Sequence, residues 1–121
     1  MMRSIIPLVW CLSACGGVEP AYTIELLNDS LLDPIPAEYP GWYLDVESCL
    51  AQLGDFDTIT WYVADEVFLN GEQKAGIIKF PNKITIWADA IYIQSSVKHE
   101  MIHHVLQRTG LHGTDVFDRC S

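Results

Sequence analysis

Positive charge is scarce in this sequence. It contains 7 Lys and Arg residues against 16 Asp and Glu residues, and its formal net charge at pH 7 is −9. Such a chain is repelled by the phosphates of nucleic acids and by anionic lipid head groups. The composition therefore argues against nucleic acid or an anionic membrane surface as the main partner, whereas a basic substrate would be weakly attracted.

Long hydrophobic runs are also missing. The apolar run from Ile5 to Leu12 is too short to span a bilayer as a stable helix. It follows a charged start at Arg3, however, and this combination is typical of a secretory signal. The run ends in Leu12-Ser13-Ala14-Cys15, which looks like a bacterial lipobox, where a lipoprotein signal peptidase cuts before a cysteine that becomes lipidated.

We therefore predict that residues 1–14 are a lipoprotein signal peptide and that Cys15 is the lipidated N-terminus of the mature protein. Its acyl chains would anchor the protein to a membrane without a spanning helix. This places it in the bacterial cell envelope, facing the periplasm or the exterior. The alternative is a buried N-terminal helix or strand with an incidental cysteine, which Gly16, Gly17 and Pro20 argue against because they break both kinds of element.

Cysteine is limited to 4 residues. Removal of Cys11 with the signal peptide and acylation of Cys15 leave Cys49 and Cys120. In an oxidising compartment we expect these two to form a disulfide, which closes a loop of about seventy residues and is worth roughly 4 kcal/mol in the chain-entropy model. The alternative is two unrelated buried thiols.

Repeats and low-complexity segments are absent, and half of the 121 residues are apolar, which suits one small globular domain. After the signal peptide, residues 15–40 are punctuated by prolines, and we interpret them as a lipidated tether and arm. Residues 41–121 form the predicted domain. We expect a monomer.

The domain begins with a helical pattern that stops near Gly54. Its apolar residues fall on one stripe, formed by Trp42, Val46, Cys49, Leu50 and Leu53. From Asp57 the pattern alternates with a period of two, as in a half-buried strand. The sequence therefore predicts a helix followed by strands.

Two turn signals divide the strand region. Asn70-Gly71 predicts a hairpin between residues 67–69 and 75–80, and Pro81-Asn82 predicts a turn into residues 83–87. We therefore expect a mainly antiparallel meander of three to four strands.

A second helix is predicted from a cap at Ser95-Ser96 to a stop near Gly110. It contains His99-Glu100-Met101-Ile102-His103. Side chains four residues apart lie on one face of a helix, so both imidazoles can reach one metal ion. Glu100 lies about 100° round the helix, near enough to hold a water on that metal. This is the arrangement of zinc metalloproteases.

These residues resemble the zincin metallopeptidases, whose active-site helix carries His-Glu-x-x-His and follows a small sheet. The tail also resembles that of small bacterial envelope proteins with a downstream His, a Phe and a terminal Cys, here His112, Phe117 and Cys120. The resemblance implies an α+β fold: a minimal zincin-like domain with a helix, a mainly antiparallel three- to four-stranded sheet and an active-site helix. It also implies a Zn²⁺ cofactor and a peptide or protein substrate.

In the activity that the resemblance implies, Glu100 is the general base for a zinc-activated water that attacks a peptide carbonyl. A strand before the active-site helix binds the extended substrate by its edge, and its counterpart here lies within residues 83–93. Candidates for a second electrophile are His104, Tyr92 and Arg119. All three rank low, and His104 suits a structural role because it points away from the ligand face.

A catalytic zinc site needs a third protein ligand. Metzincins place Gly and His where this chain has Leu106 and Thr109, so that subfamily is disfavoured. A turn at Gly110 would bring His112 within reach of the metal, which makes His112 the preferred ligand. Asp115 and Asp118 are the alternatives, because carboxylates also bind zinc.

Two functions follow from this site. The first is a membrane-anchored zinc metallopeptidase, and the second is a non-catalytic metal-binding envelope lipoprotein that acts as an interaction module. Glu100 favours the first, since a structural zinc site needs no base beside its ligands.

Overall fold

The computed structural model describes residues 22–107 and 115–121. In these residues it has three α-helices, two β-sheets and two short 3-10 helices, which confirms the predicted α+β class. The helices are α1 (Tyr39–Leu50), α2 (Gln94–Leu106) and α3 (Asp115–Cys120). The strands are β1 (Ile24–Leu27), β2 (Ser30–Leu31), β3 (Thr60–Ala64), β4 (Glu66–Leu69), β5 (Glu72–Gln73), β6 (Gly76–Lys79) and β7 (Lys83–Trp87).

The four-stranded sheet has the order β2-β3-β7-β6. Its β2–β3 and β6–β7 pairs are antiparallel, but β3 and β7 are parallel. The pairing is thus mainly antiparallel, as predicted, but the parallel β3–β7 pair departs from the expected meander. The physical reason is burial: Ile84, Thr85 and Ile86 are all buried, so β7 is covered on both faces and takes a central position.

The three-stranded sheet has the order β1-β4-β5. Asn70 and Gly71 form the predicted turn, with φ angles of 53° and 78° that suit these two residue types. The turn joins β4 to the short β5, whereas the predicted partner segment forms β6 in the other sheet. The second turn, at residues 81–82, joins β6 to β7 as predicted.

The helix α1 begins at Tyr39, before the predicted start, because Pro40 occupies the first turn, where no amide hydrogen bond is lost. Of its predicted stripe, Val46 is buried, and Trp42, Cys49 and Leu50 pack against the core. Leu53 was wrongly assigned to this stripe. It lies beyond the end of the helix and is 84% exposed.

The main core lies between α1, α2 and the four-stranded sheet. It includes the apolar residues that helical spacing predicts on one stripe of α2: Val97, Met101, Ile102 and Val105 are buried, and Leu106 is partly buried and packs against them. A second, smaller cluster lies between the two sheets, around Ala64, Val67 and Ile77. The helix that carries the His-Glu-x-x-His motif is thus fixed along its length by buried apolar contacts.

Both ends of α2 differ from the sequence prediction. Its N-cap is Ile93, without a side-chain cap, and Ser95 and Ser96 lie inside the first turn. The helix ends at Leu106, well before Gly110, where Gln107 adopts a left-handed conformation. The Gln107 side-chain amide donates to the carbonyl of His104, which stabilises this end because the last carbonyls of a helix lack intrahelical partners.

The predicted disulfide between Cys49 and Cys120 is present. It joins α1 to α3 across a sequence separation of 71 residues, with the two Cα atoms 5.7 Å apart. None of the helices in residues 22–107 and 115–121 is long and apolar enough to cross a membrane.

Candidate metal centre

His99 and His103 lie on one face of α2, as their spacing predicts. Their ring centroids are 5.0 Å apart, with the ring planes inclined at 71°. His103 is only 4% exposed, whereas His99 is partly buried. Both side chains line a cleft with a volume of about 920 Å³.

The cleft lies between α2, the strand β6 and the start of β1. Its wall is mostly apolar and includes Ile24, Leu69, Ile78 and Phe117, together with Asp118 and Lys74. A cleft of this size and composition is typical of a ligand-binding site.

Glu100 also lines the cleft, although the residue is only 6% exposed. It packs against β6 at Gly76, where an added Cβ would lie 3.2 Å from Cγ of Glu100. Sequence reasoning missed Gly76. Its signal was a glycine in a strand, which often marks the close approach of another group.

Burial raises the pKa of the Glu100 carboxyl to about 8, because the buried environment disfavours the charged form. A carboxyl with this pKa exchanges its proton near neutral pH. The buried carboxyl is therefore mostly protonated at neutral pH, and a metal cation bound beside it would favour the charged form that a general base needs.

His99, Glu100 and His103 all belong to α2 and line the same cleft, which fits a zinc site in part. Imidazole nitrogens are ordinary zinc ligands, and a catalytic site leaves a position open to solvent. Within residues 22–107 and 115–121, no group of three or more His, Cys, Asp or Glu residues is placed to hold a metal. The described residues thus supply two candidate ligands and a carboxyl beside them.

The third ligand is therefore not found among the described residues. Asp115 is not gathered with the two histidines; its side chain is 83% exposed and lies 3.6 Å from Arg119. Asp118 lines the cleft but joins no three-residue group either. His112 lies outside the described residues and stays a prediction, as does the lipidated Cys15.

His104 is held in a hydrogen-bond network on another side of α2. Its Nδ1 is 2.7 Å from the Tyr43 hydroxyl, and its Nε2 is 3.0 Å from Oδ1 of Asn82. Since Oδ1 accepts, Nε2 carries the proton and Nδ1 accepts from Tyr43. Burial lowers the pKa of His104, which favours this neutral form.

This network agrees with the structural role expected for His104. It ties α2 to α1 through Tyr43 and to the β6–β7 turn through Asn82. Neither Tyr92 nor Arg119, the other two candidates for a second electrophile, is among the residues that line the cleft. Sequence reasoning did not identify the roles of Tyr43 and Asn82, because their partners are distant in the chain.

Phe117 packs against both His99 and His103. Its ring centroid lies 4.6 Å from that of His99 and 4.8 Å from that of His103. In the sequence it was marked only by its place in the tail that resembles other envelope proteins. Phe117 lies on α3, one helical turn before Cys120 of the disulfide, and lines the same cleft as the two histidines. It is therefore part of the candidate centre.

The expected substrate strand needs a correction. Residues 83–87 form β7, which is paired on both sides, with β3 and with β6, and so has no open edge. The strand beside Glu100 is β6, which lies at the end of the strand order and lines the cleft. Order along the chain suggested β7 because it directly precedes α2, but the hairpin places β6 outside it.

Comparison of the chain with protein-family models, with curated proteins and with solved structures finds no match.

Proposed function

We propose that this protein is a zinc-dependent metallopeptidase, anchored to a membrane of the bacterial envelope through Cys15. The observation that carries the proposal is that His99, His103 and Glu100 line one mostly apolar cleft beside an edge strand. A cleft of this kind suits a polypeptide chain, and the three side chains match the residue types that zinc-dependent hydrolysis requires.

Each residue has a distinct task in this proposal. His99 and His103 hold the zinc ion through their imidazole nitrogens, and His112 is the predicted third ligand. When bound, zinc polarises the substrate carbonyl and makes water more acidic. The Glu100 carboxylate accepts the proton of the attacking water and then donates it to the leaving amine.

The strand β6 is the proposed support for the substrate. Its inner edge is paired with β7, and the Trp87 amide extends this contact with a 2.8 Å hydrogen bond to the carbonyl of Ala75, directly before β6. An extended peptide that adds to the outer edge would run past Gly76 and Glu100. Main-chain hydrogen bonds to a sheet edge bind peptides with little demand on their sequence, and side-chain pockets then add specificity.

The direct test is digestion of a peptide library by the zinc-loaded full-length protein in detergent, beside Glu100→Gln. The variant keeps the size of the side chain but loses the base, so we expect zinc to be retained and turnover to fall by about 10²- to 10⁴-fold. Glu38→Gln, at an exposed carboxylate before α1, is the matched control and leaves turnover unchanged.

Equal turnover in the Glu100→Gln and wild-type proteins would remove Glu100 from the mechanism. A wild-type protein that binds zinc but cleaves no peptide would instead support the non-catalytic lipoprotein.

A further inference from the structure

We propose that Phe117 is a positioning residue for His99 and His103, and that the Cys49–Cys120 disulfide keeps it in place. The inference rests on the metal site of the proposed function, but it concerns affinity for the metal and not hydrolysis. It goes beyond the sequence, in which neither the aromatic contact nor its link to the disulfide is visible.

The ring of Phe117 lies directly against both histidine rings. The Phe117 ring is inclined at 40° to the His99 ring and at 48° to the His103 ring, and Phe117 is only 6% exposed. One rigid ring thus packs against both imidazoles. A histidine ring on a helix turns about two side-chain torsions, and the second of these has a broad energy minimum. A packed neighbour narrows that range, which holds a ligand near its binding orientation.

Phe117 belongs to the short helix α3. The helix α3 has 6 residues, too few to be stable by itself. Cys120 follows Phe117 by three residues, so the two side chains project from the same side of the helix. The bond from Cys120 to Cys49 therefore fixes the turn of α3 that presents the aromatic ring.

The helix α1 supports both sides of the centre. Cys49 of α1 holds α3, and Tyr43 of α1 contacts His104, the residue after His103. Arg119 adds to the first link, with Nη1 3.5 Å from the Cys49 carbonyl oxygen. The histidines and the ring that covers them are thus fixed to one common helix.

Residues that orient metal ligands from outside typically change metal affinity by about 10- to 100-fold when they are removed. We therefore expect Phe117→Ala to bind zinc at least about tenfold more weakly than the wild type. Phe117→Leu restores part of the packing and should recover part of the zinc affinity. A loss of affinity caused by unfolding would not show this graded recovery.

The experiment is a competition titration of the full-length protein with zinc and a chromophoric chelator. The absorption spectrum of the Co²⁺-loaded protein reports ligand geometry separately. The matched control is Phe56→Ala, which removes an equal volume from a ring that packs on Tyr43 and Trp61. Thermal unfolding of both alanine variants shows how much stability each has lost.

Weaker zinc binding and an altered Co²⁺ spectrum in Phe117→Ala, with both unchanged in Phe56→Ala, would support the inference. Wild-type affinity in Phe117→Ala would overturn it. So would an equal loss of affinity in the two alanine variants, because packing anywhere in the core would then suffice.

The disulfide is tested by replacing Cys49 and Cys120 with alanine together, with and without Phe117→Ala. If the bond acts through the ring, the combined variant loses less zinc-binding free energy than the sum of the losses in the two separate variants. Full additivity would overturn the role of the disulfide. If the variant without the disulfide does not fold, Phe117→Leu still decides the role of the ring.

These results are separable from the proposed function. Zinc affinity that depends on Phe117 in a protein without peptidase activity would reject the peptidase and keep the inference. Peptide hydrolysis by a protein whose zinc affinity does not depend on Phe117 would keep the peptidase and reject the inference. A wild-type protein that binds neither zinc nor Co²⁺ would overturn both.

Discussion

The hydroxyl group of Tyr43 lies where a side chain at position 54 would project. A Cβ added to Gly54 would overlap this oxygen and would lie 3.1 Å from Cγ2 of Val105. The hydroxyl cannot move away without losing its hydrogen bond to His104. At the scale of single residues, the smallest side chain in this region is therefore the one that lets α1 and α2 meet.

We expect Gly54→Ala to lower the free energy of unfolding by about 1–3 kcal/mol, which is typical of overpacking in a core. Gly41→Ala is the control, because an added Cβ at Gly41 meets no atom within 4 Å. Urea denaturation measures both variants. Equal stability of the two would show that the contact between Tyr43 and position 54 is unimportant.

The third metal ligand is also a question about single residues. We expect His112→Ala to lose most of its zinc, because two protein ligands hold the ion poorly, while Asp115→Ala keeps full occupancy. Metal analysis of the two purified variants measures this directly. Full zinc occupancy in His112→Ala would show that the ligand lies elsewhere, with Asp118 as the next residue to replace.

Among the elements, β6 has the most direct effect on the candidate site. An alanine at position 76 would place its Cβ 3.0 Å from Cδ1 of Ile86, 3.1 Å from the Thr85 carbonyl oxygen and 3.2 Å from Cγ of Glu100. The backbone cannot yield easily because β6 is paired with β7, so the side chains of Ile86 and Glu100 must shift.

We therefore expect Gly76→Ala to lower kcat by about tenfold or more while zinc is retained, since small displacements of a catalytic group are costly. The measurement is a comparison of steady-state kinetics with zinc content. An unchanged kcat would indicate that Glu100 does not act from its position against β6.

The elements also differ in how far the sequence could predict them. The apolar stripe of α2 and the shared face of His99 and His103 follow from helical spacing, which is local information. The parallel pairing of β3 with β7 does not, because a turn signal identifies where a chain reverses and not which strand becomes its neighbour. For the same reason the hairpin at Asn70-Gly71 was predicted, but its second strand was not.

The candidate site divides in the same way. Helical spacing alone predicted that His99 and His103 share one face of α2, with Glu100 beside them. Gly76 and the covering role of Phe117 arise from contacts between elements far apart in the chain, so they became visible only in the fold. The disulfide was predicted because counting cysteines left a single pair, which is a constraint on the whole chain.

At the scale of the whole molecule, the anchor remains a prediction. We expect mass spectrometry of the protein purified from membranes to find residues 1–14 removed and acyl chains on Cys15. Cys15→Ala should abolish the modification and move the protein out of the membrane fraction, because the hydrophobic anchor is lost. An unmodified cysteine at position 15 in the wild-type protein would contradict the lipobox.

The bond between Cys49 and Cys120 also has a consequence in time. Inside a reducing cell interior both residues are thiols, so a newly made chain has no covalent link between α1 and α3. If Phe117 depends on that link, such a chain competes poorly for intracellular zinc. If the predicted signal peptide directs export to an oxidising compartment, the bond would close there and complete the centre, so the protein would mature where it works and be idle where it is made.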